Sequence, residues 1–216
     1  MTTAVLEAKH EQAARPVLRA DRRITRTRSA LRDALIALID ERGYDTLSVG
    51  DVCLAANVTR GTFYNHFTSK EDMLASFEDE VMGGLDAFQE RMANLSLKDL
   101  AYTVTTKRPL PLLVEMFDYL RSEGAFLHAV LGPHGDSRFS SRLRDAVCAN
   151  LVRSVLHKRY RDSDDAFVQY YVAFYASAYL GVIERWLATG MKENSEDMAL
   201  IAQRLLFIAP GESIKL

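Results

Sequence analysis

The chain has 216 residues, of which 48% are hydrophobic and 26% are charged, and its formal net charge is −2 at pH 7. These values are typical of a globular chain of one or two domains with a sizeable core. The longest apolar run, residues 171–183, is shorter than the ~20 residues of a membrane span, so no membrane partner is expected. Cys53 and Cys148 lie far apart in apolar helical contexts, so we expect reduced thiols and a cytoplasmic location.

The charges are distributed unevenly along the chain. Residues 15–32 contain seven arginines and one acid, whereas residues 71–100 contain eight acids and two basic residues. A basic segment of this kind either binds a polyanion or forms a solvated face, and both interpretations stay open. Residues 1–22 show no apolar period and are predicted to form a flexible basic arm.

Helical spacing of apolar residues begins near Thr27 and continues to Gly43, which predicts the first helix. Ser48 caps a short second helix, and Asn57 ends it because asparagine enters the left-handed region at low cost. Thr59 caps a third helix that runs to about residue 66. These helices form a helix-turn-helix pattern over residues 23–70.

The rest of the chain, residues 71–216, is predicted to be helical as well. Glycines and a proline mark the breaks between apolar periods, and no strand pattern intervenes. The expected helices cover about residues 70–93, 110–121, 125–131, 137–160, 164–188 and 195–208. The sequence therefore predicts an all-α chain of about nine helices.

The segment TLSVGDVCLAANVTRGTFYNHFTSKEDML resembles the DNA-binding signature of the TetR/AcrR family of transcriptional regulators. The match covers about residues 24–74 and keeps the order and spacing of A-x-V-T-x-G-T-x-Y-x-H-F-x-x-K. Four positions depart from the family pattern but keep its physical roles: Cys53, Asn57, Thr59 and Phe63. The resemblance implies a helix-turn-helix DNA-binding domain followed by a helical effector-binding and dimerisation domain. It also implies a sequence-specific homodimeric repressor that a small-molecule effector releases from a palindromic double-stranded DNA operator.

The third helix carries the residues expected to read DNA. A recognition helix lies in the major groove with its first turn nearest the bases, which favours long donors and small residues there. Arg60 can bind both acceptors of a guanine, Gly61 permits close approach of the backbone, and Thr62 adds a hydroxyl or methyl contact. Asn65 either reads adenine or touches the backbone. By resemblance, phosphates are contacted by Ser48, Thr59, Tyr64, His66 and Lys70.

Several of these residues have a structural alternative. Tyr64 is alternatively a core aromatic, and His66 is alternatively a packing histidine, whereas Phe63 and Phe67 are predicted to face the interior. The arm arginines either follow the DNA or are simply solvated. These are Arg22, Arg23, Arg26 and Arg28.

The helix expected over residues 164–188 is apolar around most of its circumference, which predicts burial on more than one side. Ala173, Ser177 and Gly181 form a small-residue line that lets another helix approach, and we expect a second subunit there. The alternative is a core helix of a monomer. In TetR-like proteins the last two helices of each subunit form a four-helix dimer interface. The segment LGVIERWLATGMKENSEDMA is similar to the branch of dihydroxyacetone-kinase operon regulators.

The middle helices offer candidates for an effector pocket: Phe117, Phe126, His128, Tyr175 and Tyr179. Each of them is alternatively plain core. A rival hypothesis is a metal-dependent enzyme that uses His128, His134 and Asp136, although the segment has no recognised metal-ligand spacing. A second rival is an architectural protein that binds DNA without sequence preference. We expect no catalytic residue, metal or cofactor.

Overall fold

The structure, a computed structural model, describes residues 3–94, 108–154 and 165–205. Within these ranges every regular element is a helix, which confirms the predicted all-α fold. The chain divides into two compact units, Met1–Phe77 and Glu78–Leu216.

Nine α-helices lie in the described ranges, together with one 3₁₀ turn at Tyr44–Thr46. In chain order they are α1 (Thr3–Arg42), α2 (Val49–Ala55), α3 (Arg60–Tyr64), α4 (Lys70–Ala93), α5 (Pro111–Ser122), α6 (Gly124–Leu131), α7 (Ser137–Ser154), α8 (Ala166–Ala188) and α9 (Ser195–Leu205). The expected continuations of α7 to residue 160 and of α9 to residue 208 fall outside the described residues.

The first helix starts earlier than the apolar spacing of the sequence predicts. α1 begins at Thr3, whereas the predicted start was near Thr27 and an arm was expected over residues 1–22. Apolar spacing marks only the part of a helix that packs. In the part of α1 whose side chains the structure describes, from Arg22 onward, the buried ones are Leu31, Ala34, Leu35, Leu38 and Ile39. Residues 3–26 are rich in alanine and arginine, which have high helix propensity.

The first unit is built around buried rings beside α3. Gly43 has φ 80°, so the chain leaves α1 through a conformation that glycine adopts at little cost. Asn57 has φ 52° at the end of α2, which confirms the predicted left-handed residue. Phe63 and Phe67 are buried with ring centroids 5.8 Å apart, and Phe67 lies 5.5 Å from Phe77. These ring contacts hold the short α3 against the start of α4.

In the second unit, α8 packs against α6 and α7, and α9 packs against α5. Phe117 of α5 meets Trp186 of α8 edge to face, with ring centroids 5.5 Å apart. Phe126 of α6 and Phe139 of α7 form a second edge contact at 6.4 Å. All four rings are fully buried, so they form the centre of this unit.

Both cysteines are free thiols, as predicted. Cys53 is buried in α2 and Cys148 is half-buried in α7. Burial raises the pKa of each thiol, so both are protonated at neutral pH and serve as small packing residues.

Candidate nucleic-acid interface

Side-chain hydroxyl groups cap the first turns of both α2 and α3. The backbone N–H of Ser48 donates to Asp51 Oδ2 at 2.9 Å, and the backbone N–H of Asp51 donates to Ser48 Oγ at 3.2 Å. This reciprocal capping box satisfies two N–H groups at the start of α2 and lowers the pKa of Asp51. Thr59 Oγ1 accepts from the backbone N–H of Thr62 at 3.1 Å. A phosphate contact from either hydroxyl therefore uses a group that already caps a helix.

The short α3 has a buried side and an open side. Phe63 has no exposed surface and anchors the helix to the core, as predicted. The open side is exposed or half-exposed and consists of Arg60, Gly61, Thr62, Tyr64 and Asn65. Asn65 is the C-terminal cap of α3, and its backbone N–H donates to the Gly61 carbonyl at 3.2 Å.

Tyr64 and His66 flank the open side. Tyr64 is 56% exposed, so it is not the core aromatic of the alternative interpretation. Its ring meets Phe63 edge to face at 5.4 Å, which fixes the ring while leaving its outer edge in solvent. His66 is half-buried with its ring centroid 6.1 Å from that of Phe67. His66 thus combines a packing contact with a partly accessible imidazole.

Gly61 has no internal reason to be glycine. It lies on a helix without a positive φ, and a Cβ placed there would meet only Thr59 Oγ1, at 3.8 Å. Glycine in a helix costs about 1 kcal/mol relative to alanine. A glycine at this exposed position therefore indicates that a binding partner approaches the backbone of α3 closely.

The Arg60 side chain is exposed at the first position of α3. Within the described part of the chain, its guanidinium makes no hydrogen bond and no ion pair. A guanidinium has five N–H donors in a planar fork that matches two acceptors on one partner. Arg60 is therefore placed to bind a planar acceptor pair outside the protein.

Lys70 makes contacts within the first unit that were not expected from the sequence. Its Nζ donates to the carbonyl oxygen of Tyr44 at 3.1 Å and to that of Asp45 at 3.5 Å. The ammonium also lies 4.6 Å from the centroid of the Tyr44 ring. Lys70 therefore joins the start of α4 to the 3₁₀ turn after α1, a contact between residues far apart in sequence.

The basic segment divides into exposed and packed arginines. Arg22, Arg23 and Arg26 are exposed on α1. Arg28 donates from Nη2 to Ser76 Oγ at 2.6 Å and stacks on the Phe67 ring, with its Cζ 4.9 Å from the centroid. Arg28 therefore makes its contacts inside the first unit, whereas for Arg22, Arg23 and Arg26 both the DNA contact and the solvated face stay open as predictions.

One face of α8 is uncovered in the second unit. The small residues Ala173, Ser177 and Gly181 are all exposed, and a Cβ at Gly181 would meet no atom within 4 Å. The same surface carries three large exposed rings, namely Phe167 at 75%, Tyr170 at 77% and Phe174 at 68%. Within the described residues, α8 is the one helix that is long and apolar enough to cross a membrane by length and composition alone.

The five effector candidates occupy different environments. Phe117 and Phe126 are buried in ring contacts, whereas His128 is exposed on α6. Tyr179 is half-buried and donates to the carbonyl oxygen of Ala202 at 3.2 Å, and burial raises its pKa. Tyr175 stacks on Tyr171 with centroids 4.6 Å apart. The half-buried tyrosines of α8 thus keep accessible surface, whereas the two phenylalanines are core.

The structure does not support the proposed metal site. Asp136 accepts two hydrogen bonds from the Arg138 side chain, at 2.8 and 3.0 Å, through Oδ2. The hydrogen bonds from Arg138 lower the pKa of the Asp136 carboxyl and use the lone pairs that a metal ion would need. His128 and His134 are exposed, and no three histidine, cysteine or acidic residues form a metal-binding group in the described ranges. The hypothesis built on these three residues is not favoured.

Sequence reasoning missed one buried acid. Glu78 is 4% exposed, its Oε2 accepts from Arg142 Nη1 at 3.1 Å, and its buried Oε1 has no hydrogen-bond partner among the described residues. Burial and the nearby Asp136 raise the pKa of Glu78 to about 7. The helical spacing held a signal, because Glu78 falls on the buried stripe of α4 that contains Leu74, Phe77, Val81 and Leu85.

Two family profiles match the sequence. The profile described as "Bacterial regulatory proteins, tetR family" matches residues 31–77. The TetR-type profile described as "Transcriptional regulator C-terminal region" matches residues 107–207. Together the two profiles match more than half of the chain and include α2, α3, the turn between these two helices, and α8.

Curated relatives match over shorter segments. An uncharacterized HTH-type transcriptional regulator of Bacillus subtilis, YxbF, is 38% identical over 55 residues, which are 25% of this chain and 14% of that protein. The fatty acid metabolism regulator protein of Bacillus subtilis is 37% identical over 82 residues, or 38% of this chain and 39% of that protein. The matches thus span less than half of the length of these relatives.

Solved structures share the fold over most of the chain. FadR from Bacillus halodurans, a fatty acid degradation regulator, aligns with a TM-score of 0.60 at 16% identity, covering 87% of this chain and 97% of that one. FadR from Bacillus subtilis in complex with stearoyl-CoA aligns with a TM-score of 0.54 at 17% identity, covering 82% and 96%. At these identities the likeness shows the fold.

The capped turn between α2 and α3, the all-helical fold and the two profiles all point to one family. The chain belongs to the TetR family of transcriptional regulators.

Proposed function

We propose that the protein is a sequence-specific DNA-binding regulator that acts as a homodimeric repressor on a palindromic operator. The observation that carries the proposal is the open side of α3. An exposed Arg60, which makes no ion pair within the described part of the chain, lies next to a helical glycine at which a side chain would meet only Thr59 Oγ1, at 3.8 Å. This combination matches a recognition helix whose first turn lies against base edges.

The base contacts are assigned to the first turn of α3. Arg60 binds guanine O6 and N7, Gly61 lets the backbone approach, and Thr62 adds a hydroxyl or methyl contact. Asn65, exposed at the end of α3, contacts adenine or the backbone.

Phosphate contacts surround these residues. Tyr64 and His66 contact phosphates of the DNA backbone through the accessible edges of their rings. Ser48 and Thr59 contact phosphates with the same hydroxyl groups that cap α2 and α3. Lys70 contributes positive charge from a fixed position, because two carbonyl groups and a ring hold its ammonium. The exposed arginines of α1 add a further basic surface.

The dimer is assigned to the uncovered face of α8. Its small residues allow close helix approach and its rings supply apolar area, whereas the opposite face is packed on α6 and α7. Monomeric proteins rarely leave a large contiguous apolar surface in water. A second copy that covers this face gives a two-fold dimer and hence a palindromic operator.

An effector would act from the second unit. The similar FadR structure from Bacillus subtilis is a complex with stearoyl-CoA. The half-buried tyrosines of α8 are the best remaining candidates to line such a site. A ligand weakens operator binding only by its differential affinity for the free and DNA-bound forms. We expect a repressor of this kind to act on DNA in the cytoplasm, a reducing compartment in which free cysteines persist.

The test is a selection of bound duplexes from a randomised library by the purified full chain, followed by affinity measurements. We expect two inverted half-sites about 34 Å apart along the helix axis, or a multiple of that spacing. The selected duplex should bind at least about 10³-fold more tightly than a scrambled one. A similar affinity for both duplexes would instead identify an architectural binder.

A further inference from the structure

The Arg60 guanidinium rests on the first turn of α2. A Cβ built at Gly50 would lie 2.9 Å from Arg60 Nη2 and 3.8 Å from its Cζ. Arg60 is also close enough to Cys53 to affect its thiol electrostatically. Gly50 and Cys53 are three residues apart and so share one face of α2. The exposed arginine therefore lies across this face and does not extend freely into solvent.

Gly50 has no conformational need to be glycine. Positive φ among the described glycines occurs at Gly43 and Gly190, and not at Gly50. The other nearby atom, Ser48 Oγ, is 3.5 Å from the built Cβ, which is an ordinary contact. The neighbour that a side chain at this position would displace is therefore the Arg60 guanidinium.

We propose that Gly50 is a positioning residue for Arg60: the missing side chain leaves a recess that holds the guanidinium in place for base recognition. This inference rests on the proposed function, because it requires Arg60 to read a base. The planar fork discriminates guanine only when both N–H groups meet O6 and N7 together. A displaced fork keeps its charge and its attraction to DNA, but it loses the alignment with the two acceptors.

The test compares Gly50→Ala with the wild-type chain. The probes are the duplex selected by the wild-type protein and variants of that duplex with each guanine replaced in turn. Gly50→Ala should lower the discrimination for one guanine by about tenfold, while affinity for a scrambled duplex stays unchanged. The variant should fold normally, since alanine favours a helix and the displaced atoms belong to the end of a flexible side chain.

A double-mutant cycle separates positioning from a general structural effect. In an Arg60→Ala background, Gly50→Ala should cause no further loss of discrimination. Gly83→Ala is the matched control, because a Cβ at that helical glycine meets nothing within 4 Å. Gly50→Ser is a second variant with the same Cβ, in case the alanine variant folds poorly.

Retained discrimination in Gly50→Ala, together with its loss in Arg60→Ala, overturns the inference and leaves the proposed function standing. Retained discrimination in Arg60→Ala overturns both. Equal losses from Gly50→Ala with and without Arg60 also overturn the inference, because the effect then does not pass through the arginine.

Discussion

Arg142 of α7 donates to the buried carboxylate of Glu78 on α4 at 3.1 Å and also pairs with the adjacent Asp79. The two acids follow each other on α4, but only Glu78 faces inward, with 4% of its surface exposed. One arginine therefore joins two helices of the second unit through a carboxyl whose second oxygen has no partner in the described ranges. An ionised carboxylate in this position is costly, which raises the pKa of Glu78 to about 7.

The first prediction concerns the pH dependence of stability. The pKa of Glu78 is higher in the folded chain than its ordinary value of 4.5, so the folded state binds more protons between these values. The contribution of Glu78 to the free energy of unfolding is greatest below pH 4.5 and is lost as the pH rises through about 7. The total loss is on the order of 3 kcal/mol at most. In denaturant titrations, the free energy of unfolding of Glu78→Gln should therefore increase relative to that of wild type as the pH is raised from 5 to 8.

Glu115→Gln is the control for this prediction. Its carboxylate accepts from Arg91 on the surface, which lowers the pKa of Glu115. Its contribution is present above pH 4.5 and is lost as the pH falls further, so its difference from wild type should be constant between pH 5 and pH 8. A constant difference for Glu78→Gln as well would contradict the assignment of a buried, protonated Glu78.

The second prediction uses two neighbouring glycines of α4. A Cβ at Gly84 would overlap the Tyr119 ring of α5, whose hydroxyl donates to the Val81 carbonyl at 3.1 Å. Gly84→Ala should lower the free energy of unfolding by about 1–3 kcal/mol, because the ring must shift. Gly83→Ala meets no atom within 4 Å and should instead be neutral or stabilising. Equal effects in thermal unfolding would argue against this helix contact.

The third prediction concerns Lys70. Lys70→Ala removes the hydrogen bonds to two carbonyl groups and the ring contact with Tyr44, so it should cost about 1–2 kcal/mol of stability. Affinity for selected and scrambled duplexes should fall together, because no base contact is lost. Lys192→Ala removes an exposed lysine of the second unit and should change neither quantity. If Lys70→Ala had unchanged stability, the contacts with Tyr44 and Asp45 would contribute nothing, and Lys70 would serve only as a phosphate contact.

The fourth prediction tests the dimer. Phe174→Glu places a charge on the uncovered face of α8, where the wild-type ring is 68% exposed in one chain. Burial of an unpaired carboxylate in a helix interface is costly, so light scattering should show a dimer for wild type and a monomer for Phe174→Glu. Leu54→Glu is the control, since Leu54 is 83% exposed on α2 and belongs to the first unit. A dimer in both variants would move the interface elsewhere.

Local signals made the DNA-binding unit predictable. Caps such as Ser48 and Thr59 act on residues three positions away, and the burial of Phe63 follows from helical spacing. Contacts between distant residues were not predictable. The Lys70 contact with Tyr44 spans 26 residues and the Arg142 contact with Glu78 spans 64, so no short pattern records them. The start of α1 was placed too late because its first half has high helix propensity but no recognisable packing period.

Whether α3 reads DNA through Arg60 is tested most directly by the ratio of affinities for the selected and scrambled duplexes, measured by fluorescence anisotropy with wild type and Arg60→Ala. For wild type we expect a ratio above about 10³. In Arg60→Ala it should fall about tenfold through weaker binding to the selected duplex, with binding to the scrambled duplex only slightly reduced. An unchanged ratio in Arg60→Ala would contradict the assignment of α3 as the helix that reads DNA through this residue.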